Sequence, residues 1–138
     1  MAEQRELQEK ILTYRILQSR LDGLLKDRDL VANKIVELQT TITSIDEAKK
    51  SDGETLFPLG PEAYVSGKIT NKEKVIVEIG ANIALEKSFE EGKEALDKRK
   101  TELEKNLEGI QNEISEISSA IQELTPEIQA MIQSQQAG

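Results

Sequence analysis

The chain has 138 residues, 18 Lys+Arg against 26 Asp+Glu, a formal net charge of -8, and neither Cys nor His. Without Cys there is no disulfide, thiolate nucleophile or thiolate-bound zinc, and without His the side chain best suited to proton transfer near neutral pH is missing. Only four aromatic side chains, Tyr14, Phe57, Tyr64 and Phe89, accompany 32% charged residues, a mixture that fits long helices rather than an aromatic-rich core.

From Leu7 the chain steps by three and four in alternation: Leu7, Lys10, Tyr14, Leu17, Leu21, Leu24, Arg28, Val31, Ile35, Leu38, Ile42 and Ile45. Ten of these twelve positions are apolar. The spacing predicts a first helix carrying a heptad seam, a stripe narrow enough to be covered by a single partner helix. Lys49-Lys50-Ser51-Asp52-Gly53 ends it.

Residues 54–89 hold two of the three prolines and read as short strands: Thr55–Pro58, Ala63–Ile69, Lys74–Ile79 and Ile83–Lys87. Pro58-Leu59-Gly60-Pro61 joins the first two. Thr70-Asn71-Lys72-Glu73 reads as a hairpin turn between the second and third, and Gly80-Ala81-Asn82 as the last turn. Val75, Val77 and Ile79 alternate onto one face, as do Val65, Gly67 and Ile69. Strands this few and short cannot bury an apolar face alone, and their open edges invite pairing with other chains.

A second seam runs Phe89, Lys93, Leu96, Lys100, Leu103, Leu107, Ile110, Ile114, Ile117, Ile121, Leu124, Ile128 and Met131. At 1.5 Å per residue each helix would be roughly 60 Å long. An antiparallel register sets Ile45 against Leu96, Leu38 against Leu103, Val31 against Ile110, Leu24 against Ile117, Leu17 against Leu124 and Lys10 against Met131. Arg28 then faces Ile114, and Lys100 faces Ile42. Such polar seam residues either fix register or reach out to nearby carboxylates. Pro126 either kinks this helix or, as Thr125-Pro126-Glu127, restarts it. The stretch 125–138 is expected to coil less firmly, and 134–138 to fray.

The order helix, strands, helix resembles the α-class subunit of prefoldin, over the whole chain. The specific residues are Glu54-Thr55-Leu56-Phe57-Pro58-Leu59-Gly60, then Ala63-Tyr64-Val65-Ser66-Gly67-Lys68-Ile69, then Lys74-Val75-Ile76-Val77-Glu78-Ile79-Gly80-Ala81-Asn82-Ile83-Ala84-Leu85-Glu86-Lys87. Asn82 stands where the family often has Gly, and Asn tolerates the left-handed backbone. The resemblance implies an α+β fold: a long antiparallel two-helix coiled coil (1–50 and 89–138) with two central β-hairpins (51–88) that complete a β-barrel between subunits. Assembly would then use Leu56, Phe57, Val65, Ile69, Val75, Val77, Ile79 and Leu85. It also implies an ATP-independent chaperone, a hexamer of two α-class and four β-class subunits, that holds unfolded proteins at its coil tips and passes them to a group II chaperonin.

Apolar residues outside the seam do occur near the termini: Ile11, Leu12, Ile16 and Ile132. With Leu7, Ile128 and Met131 they are the candidate client contacts. Leu25, Leu30 and Val36 are also off-seam but lie mid-helix, so the pattern is not confined to the tips. A structural coiled-coil spacer or filament-forming protein is the alternative reading. No enzyme activity, cofactor or metal is expected, since paired carboxylates such as Glu90-Glu91 sit on solvated helix faces. The acid balance argues against nucleic acid, no run of 18 apolar residues spans a membrane, and the first residues lack a signal-peptide pattern, so a cytoplasmic location is expected. After Lys105 there is no Lys or Arg, so the last third is a solvated acidic surface or one that favours a basic partner.

Overall fold

The computed structural model describes residues 2–137, in the order α1 (Ala2–Lys50), β1 (Thr55–Gly60), β2 (Ala63–Gly67), β3 (Lys74–Gly80), β4 (Ile83–Ser88) and α2 (Phe89–Ala137). It shows the expected α+β fold: two long helices separated by two small antiparallel sheets. It divides into two compact units: one comprises the chain up to Asn33 and from Glu104 onward, the other Lys34–Leu103.

In the Lys34–Leu103 unit the seam closes into a dry core. Leu38, Ile42, Ile45, Phe89 and Leu96 are buried together with Val77 of β3, and Ala48, Val75 and Leu103 pack around them. Ile45 and Leu96 share this cluster, as do Leu38 and Leu103, in keeping with the antiparallel register. The third wall comes from Gly92. A Cβ there would lie 2.6 Å from a methyl of Val75 and 3.3 Å from one of Val77, so the first turn of α2 accepts β3 only because it has no side chain at this point.

Helix α2 begins where β4 ends, without a loop. Ser88 caps it: its Oγ accepts the Glu91 N–H at 3.1 Å and donates to the Glu91 carboxylate at 2.9 Å. The acidic residues Glu90 and Glu91 sit in the first turn, and Lys49 and Lys50 in the last turn of α1, each matched to the helix dipole.

The four strands form two separate hairpins, β1-β2 and β3-β4. The expected hairpin turn at 70–73 is therefore corrected: among the described residues β2 and β3 are not paired. Strand β2 stops at Gly67, and the Asn71 side-chain oxygen accepts the N–H groups of Glu73 and Lys74 at 2.9 and 3.3 Å, taking up donors at the head of β3. The two hairpins share one design. In each, pairing slips next to a glycine, after Pro58 and after Glu78, leaving Leu59 and Ile79 as extra residues. Gly60 and Gly80 follow, then a two-residue turn. In the second turn φ is positive at Ala81 (52°) and Asn82 (62°), the type I′ signature; in the first it is positive at Glu62 (63°). Asn82 thus takes the left-handed backbone expected of it.

Pro126 does not restart α2, which is a single helix around it. The helix continues through it to Ala137, beyond the expected start of fraying. Thr125 is not a cap; its hydroxyl donates back to the Ile121 carbonyl at 2.8 Å. Seam cations reach outward. Lys100 donates to Gln39 at 2.7 Å and lies 3.8 Å from Asp97, while the Arg28 guanidinium meets Asp29 at 3.2 Å.

Candidate functional site

Two surfaces combine exposed apolar groups with a geometry that could receive another chain. The first is the hairpin segment. Cross-strand pairing places Phe57 and Val65 on one face of β1-β2 and Leu56 on the other with Tyr64, which lies two residues from Leu56's partner Ser66. Leu56, Leu59 and Tyr64 are each more than 60% exposed, so both faces of this hairpin present apolar surface. The Phe57 ring is less exposed because it lies over Gly67, where a Cβ would come within 3.1 Å of it.

In β3-β4 the two faces differ. Val75 and Val77 turn toward the helices, and Val77 is only 7% exposed, spent inside the chain. Ile76 on the opposite face is 69% exposed, and Ile79, Ile83 and Leu85 are also open. Ile69, in the link after β2, is half-buried. Of the residues expected to serve assembly, Leu56, Phe57, Val65, Ile79 and Leu85 are exposed, and Leu59, Tyr64, Ile76 and Ile83 are exposed beside them. The signal for Ile76 was available: it alternates with Val75 and Val77, so whichever face they bury, it must show the other.

The second surface lies where the chain termini meet. Of the candidate contacts, Leu7 is buried, Ile11, Ile128 and Met131 are half-buried, and Leu12, Ile16 and Ile132 are exposed. Two hollows open here. One, about 220 Å³, is lined by Ile11, Tyr14, Thr125, Ile128 and Gln129. The other, about 420 Å³, is lined by Ala130 and Met131, by the polar Ser134 and Gln135, and by the charged Glu3, Glu6, Lys10 and Glu127. Lys10 donates to Glu127 at 2.7 Å, and that hydrogen bond holds its ammonium pKa above the ordinary value. Exposure alone does not single out this end: Leu30 at 69% and Val36 at 64% are more open than Leu12 or Ile16 at 59%. Hollows over the seam are not confined to this end either, since one of about 340 Å³ is lined by Leu24, Val31 and Ile110 mid-helix; the end carries two of them, lined by the neighbouring seam residues Ile128 and Met131.

A charged clasp stands where the helices meet the hairpins. Lys93 reaches Asp46 at 2.6 Å and Lys49 reaches Glu90 at 3.0 Å. The hydrogen bond from Lys93 lowers the Asp46 pKa and that from Lys49 lowers the Glu90 pKa, while Asp46 raises that of Lys93. Among the described residues no group of three acidic side chains is gathered as a metal site, and no helix is long and apolar enough to cross a membrane.

Comparison with known proteins gives these surfaces a context. The family model "Prefoldin subunit" matches residues 17–134. The chain is 30% identical over 97 residues to prefoldin subunit alpha 1 of Thermococcus kodakarensis, covering 69% of this chain and 66% of that protein. It is 32% identical over 99 residues to prefoldin subunit alpha of Methanopyrus kandleri, covering 70% and 63%. The matched stretch thus spans just under two thirds of the length of these two relatives. In fold it is similar to the filamentous PFD of Methanocaldococcus jannaschii seen by cryo-electron microscopy, with a TM-score of 0.70 over 87% of this chain and 98% of that one at 23% identity. With two long seamed helices, two central hairpins and a family match over most of its length, this chain belongs to the prefoldin subunit family.

Proposed function

We propose that the chain is an α-class subunit of an ATP-independent chaperone, which assembles through residues 51–88 and holds unfolded proteins where its termini meet. Assembly follows from the hairpins. Every strand has one unpaired edge, and the apolar residues Leu56, Leu59, Tyr64, Ile76 and Ile83 have nothing within the chain to cover them. Neighbouring subunits that closed these edges into a barrel would bury both. The form that the resemblance implies is a hexamer with β-class subunits that acts in the cytoplasm and hands its client to a group II chaperonin.

The observation that carries client binding is the loosened seam at the terminal end, where Ile11, Ile128 and Met131 line open hollows. Apolar groups on adaptable side chains bind unfolded segments without sequence preference, and several such ends on one particle add through effective concentration. The test is suppression of aggregation of a chemically unfolded protein without ATP. Deleting residues 1–12 and 125–138 should abolish it while the oligomer persists; unchanged suppression by that truncated oligomer would refute the reading.

A second reading is favoured by the filamentous structural neighbour: a spacer or filament subunit whose coils only scaffold. Mass measurement alone and with a β-class partner separates the two. A closed particle of defined mass supports the chaperone; open-ended polymers support the filament.

A further inference from the structure

We propose that the larger terminal hollow selects unfolded segments in which Lys or Arg flank long aliphatic residues; this rests on the reading that clients bind at that end. The hollow is lined by Ala130 and Met131, by the polar Ser134 and Gln135, and by the charged Glu3, Glu6, Glu127 and Lys10. Lys10, the single cation there among the described residues, is taken by Glu127 at 2.7 Å. Neither Glu3 nor Glu6 makes an ion pair among the described residues. The neighbouring turn of α1 carries Arg5, but with Glu6 and Glu9 around it. Helix α2 offers no compensating charge, because its last basic residue is Lys105.

The result is a hollow with an excess of carboxylates: Glu6 shares the field of Lys10 without a direct ion pair, and Glu3 has none. An incoming Lys or Arg can lay its aliphatic stem across Met131 and bring its charge to Glu3 and Glu6, whereas an acidic segment meets repulsion on the same path. Exposed pairs are individually weak and screened by salt, so a modest, salt-sensitive preference is expected rather than an absolute one.

The experiment uses the full chain in its assembled form and fluorescence anisotropy of three labelled peptides. They share length and aliphatic content and carry Lys, Gln or Glu at the polar positions. Affinity should fall in the order Lys, Gln, Glu, with Lys about threefold to tenfold tighter than Gln at low salt, and the gap should close at about 0.3 M salt. The double variant E3Q/E6Q should bring the Lys and Gln peptides within about twofold of each other and leave the Gln affinity unchanged. The control E108Q/E116Q, with the same change in net charge elsewhere on α2, should keep the preference. Equal binding of the Lys and Gln peptides, or a preference that survives E3Q/E6Q or is equally lost in E108Q/E116Q, overturns the inference while client binding stands. Failure of all three peptides to bind overturns both.

Discussion

The same heptad seam has two outcomes along this chain. Between Lys34 and Leu103 it is dry: Leu38, Ile42, Ile45, Phe89 and Leu96 are all buried. In the unit formed by the chain up to Asn33 and from Glu104 onward, Leu7 and Leu24 alone are buried among the described residues, and every seam residue of α2 from Leu107 to Met131 stays half-buried. The residue types hardly differ, so the difference lies in the number of layers. Two helices shield a seam with only the few side chains of the facing helix. Where β3 adds Val75 and Val77 over Gly92, a third wall shuts out water. A closed seam therefore belongs to the region that carries the hairpins, and a half-exposed seam to the region that carries the termini.

The largest effects should come from breaking the surface that the first region presents. The pair Tyr64→Glu and Ile76→Glu places charges on exposed apolar positions and should weaken assembly by about tenfold or more with helix content unchanged, read by analytical ultracentrifugation and circular dichroism. Within the chain, Ile45→Ala should cost about 2–5 kcal/mol by denaturant midpoint, while Ile121→Ala, whose side chain is already partly wet, should cost only roughly 1–2 kcal/mol. Equal losses would erase the distinction between the two seams.

Glycines sharpen the same contrast with opposite signs. Gly92→Ala drives a Cβ to 2.6 Å from Val75, against a short branched side chain that cannot swing aside, and should destabilise by about 1–3 kcal/mol. Gly109→Ala meets nothing within 4 Å and should stabilise by roughly 0.5–1 kcal/mol through helix propensity. The smallest effect is in acid. Asp46 and Glu90 have pKa values lowered by Lys93 and Lys49. The unfolded chain takes up those protons first as pH falls, so their contribution is complete above the ordinary carboxylate range of about 4 and is lost as pH drops through the lower folded values. Asp46→Asn should flatten that acid limb in a series of thermal midpoints and leave the slope near neutral pH unchanged.

Much of this was legible in the residues. Heptad spacing gave both helices and the pairing that brings Ile45 and Leu96 into one cluster, because period and register are local and repetitive. Asn82 revealed its turn for a similar reason. The Ser88–Glu91 cap is also readable as a Ser-x-x-Glu pattern between the end of the expected strand at Lys87 and the start of the second seam. What could not be read were contacts between distant segments. Nothing next to Gly92 says that β3 will lie on it, and nothing next to Glu3 says that Met131 will line the hollow beside it. Proline weighed too heavily: a single missing N–H did not end α2, whose seam continues past it to Ile128 and Met131. Asn71 was read as a hairpin turn because turn chemistry was visible while strand partners were not.

The most direct test of the proposal that the terminal region binds client is the triple substitution Leu12→Ser, Ile16→Ser and Ile132→Ser. These side chains are exposed and touch neither the core nor the hairpins, so stability and oligomer mass should be unchanged. Suppression of client aggregation should fall by about tenfold. Full suppression by the intact, triply substituted oligomer would contradict the account.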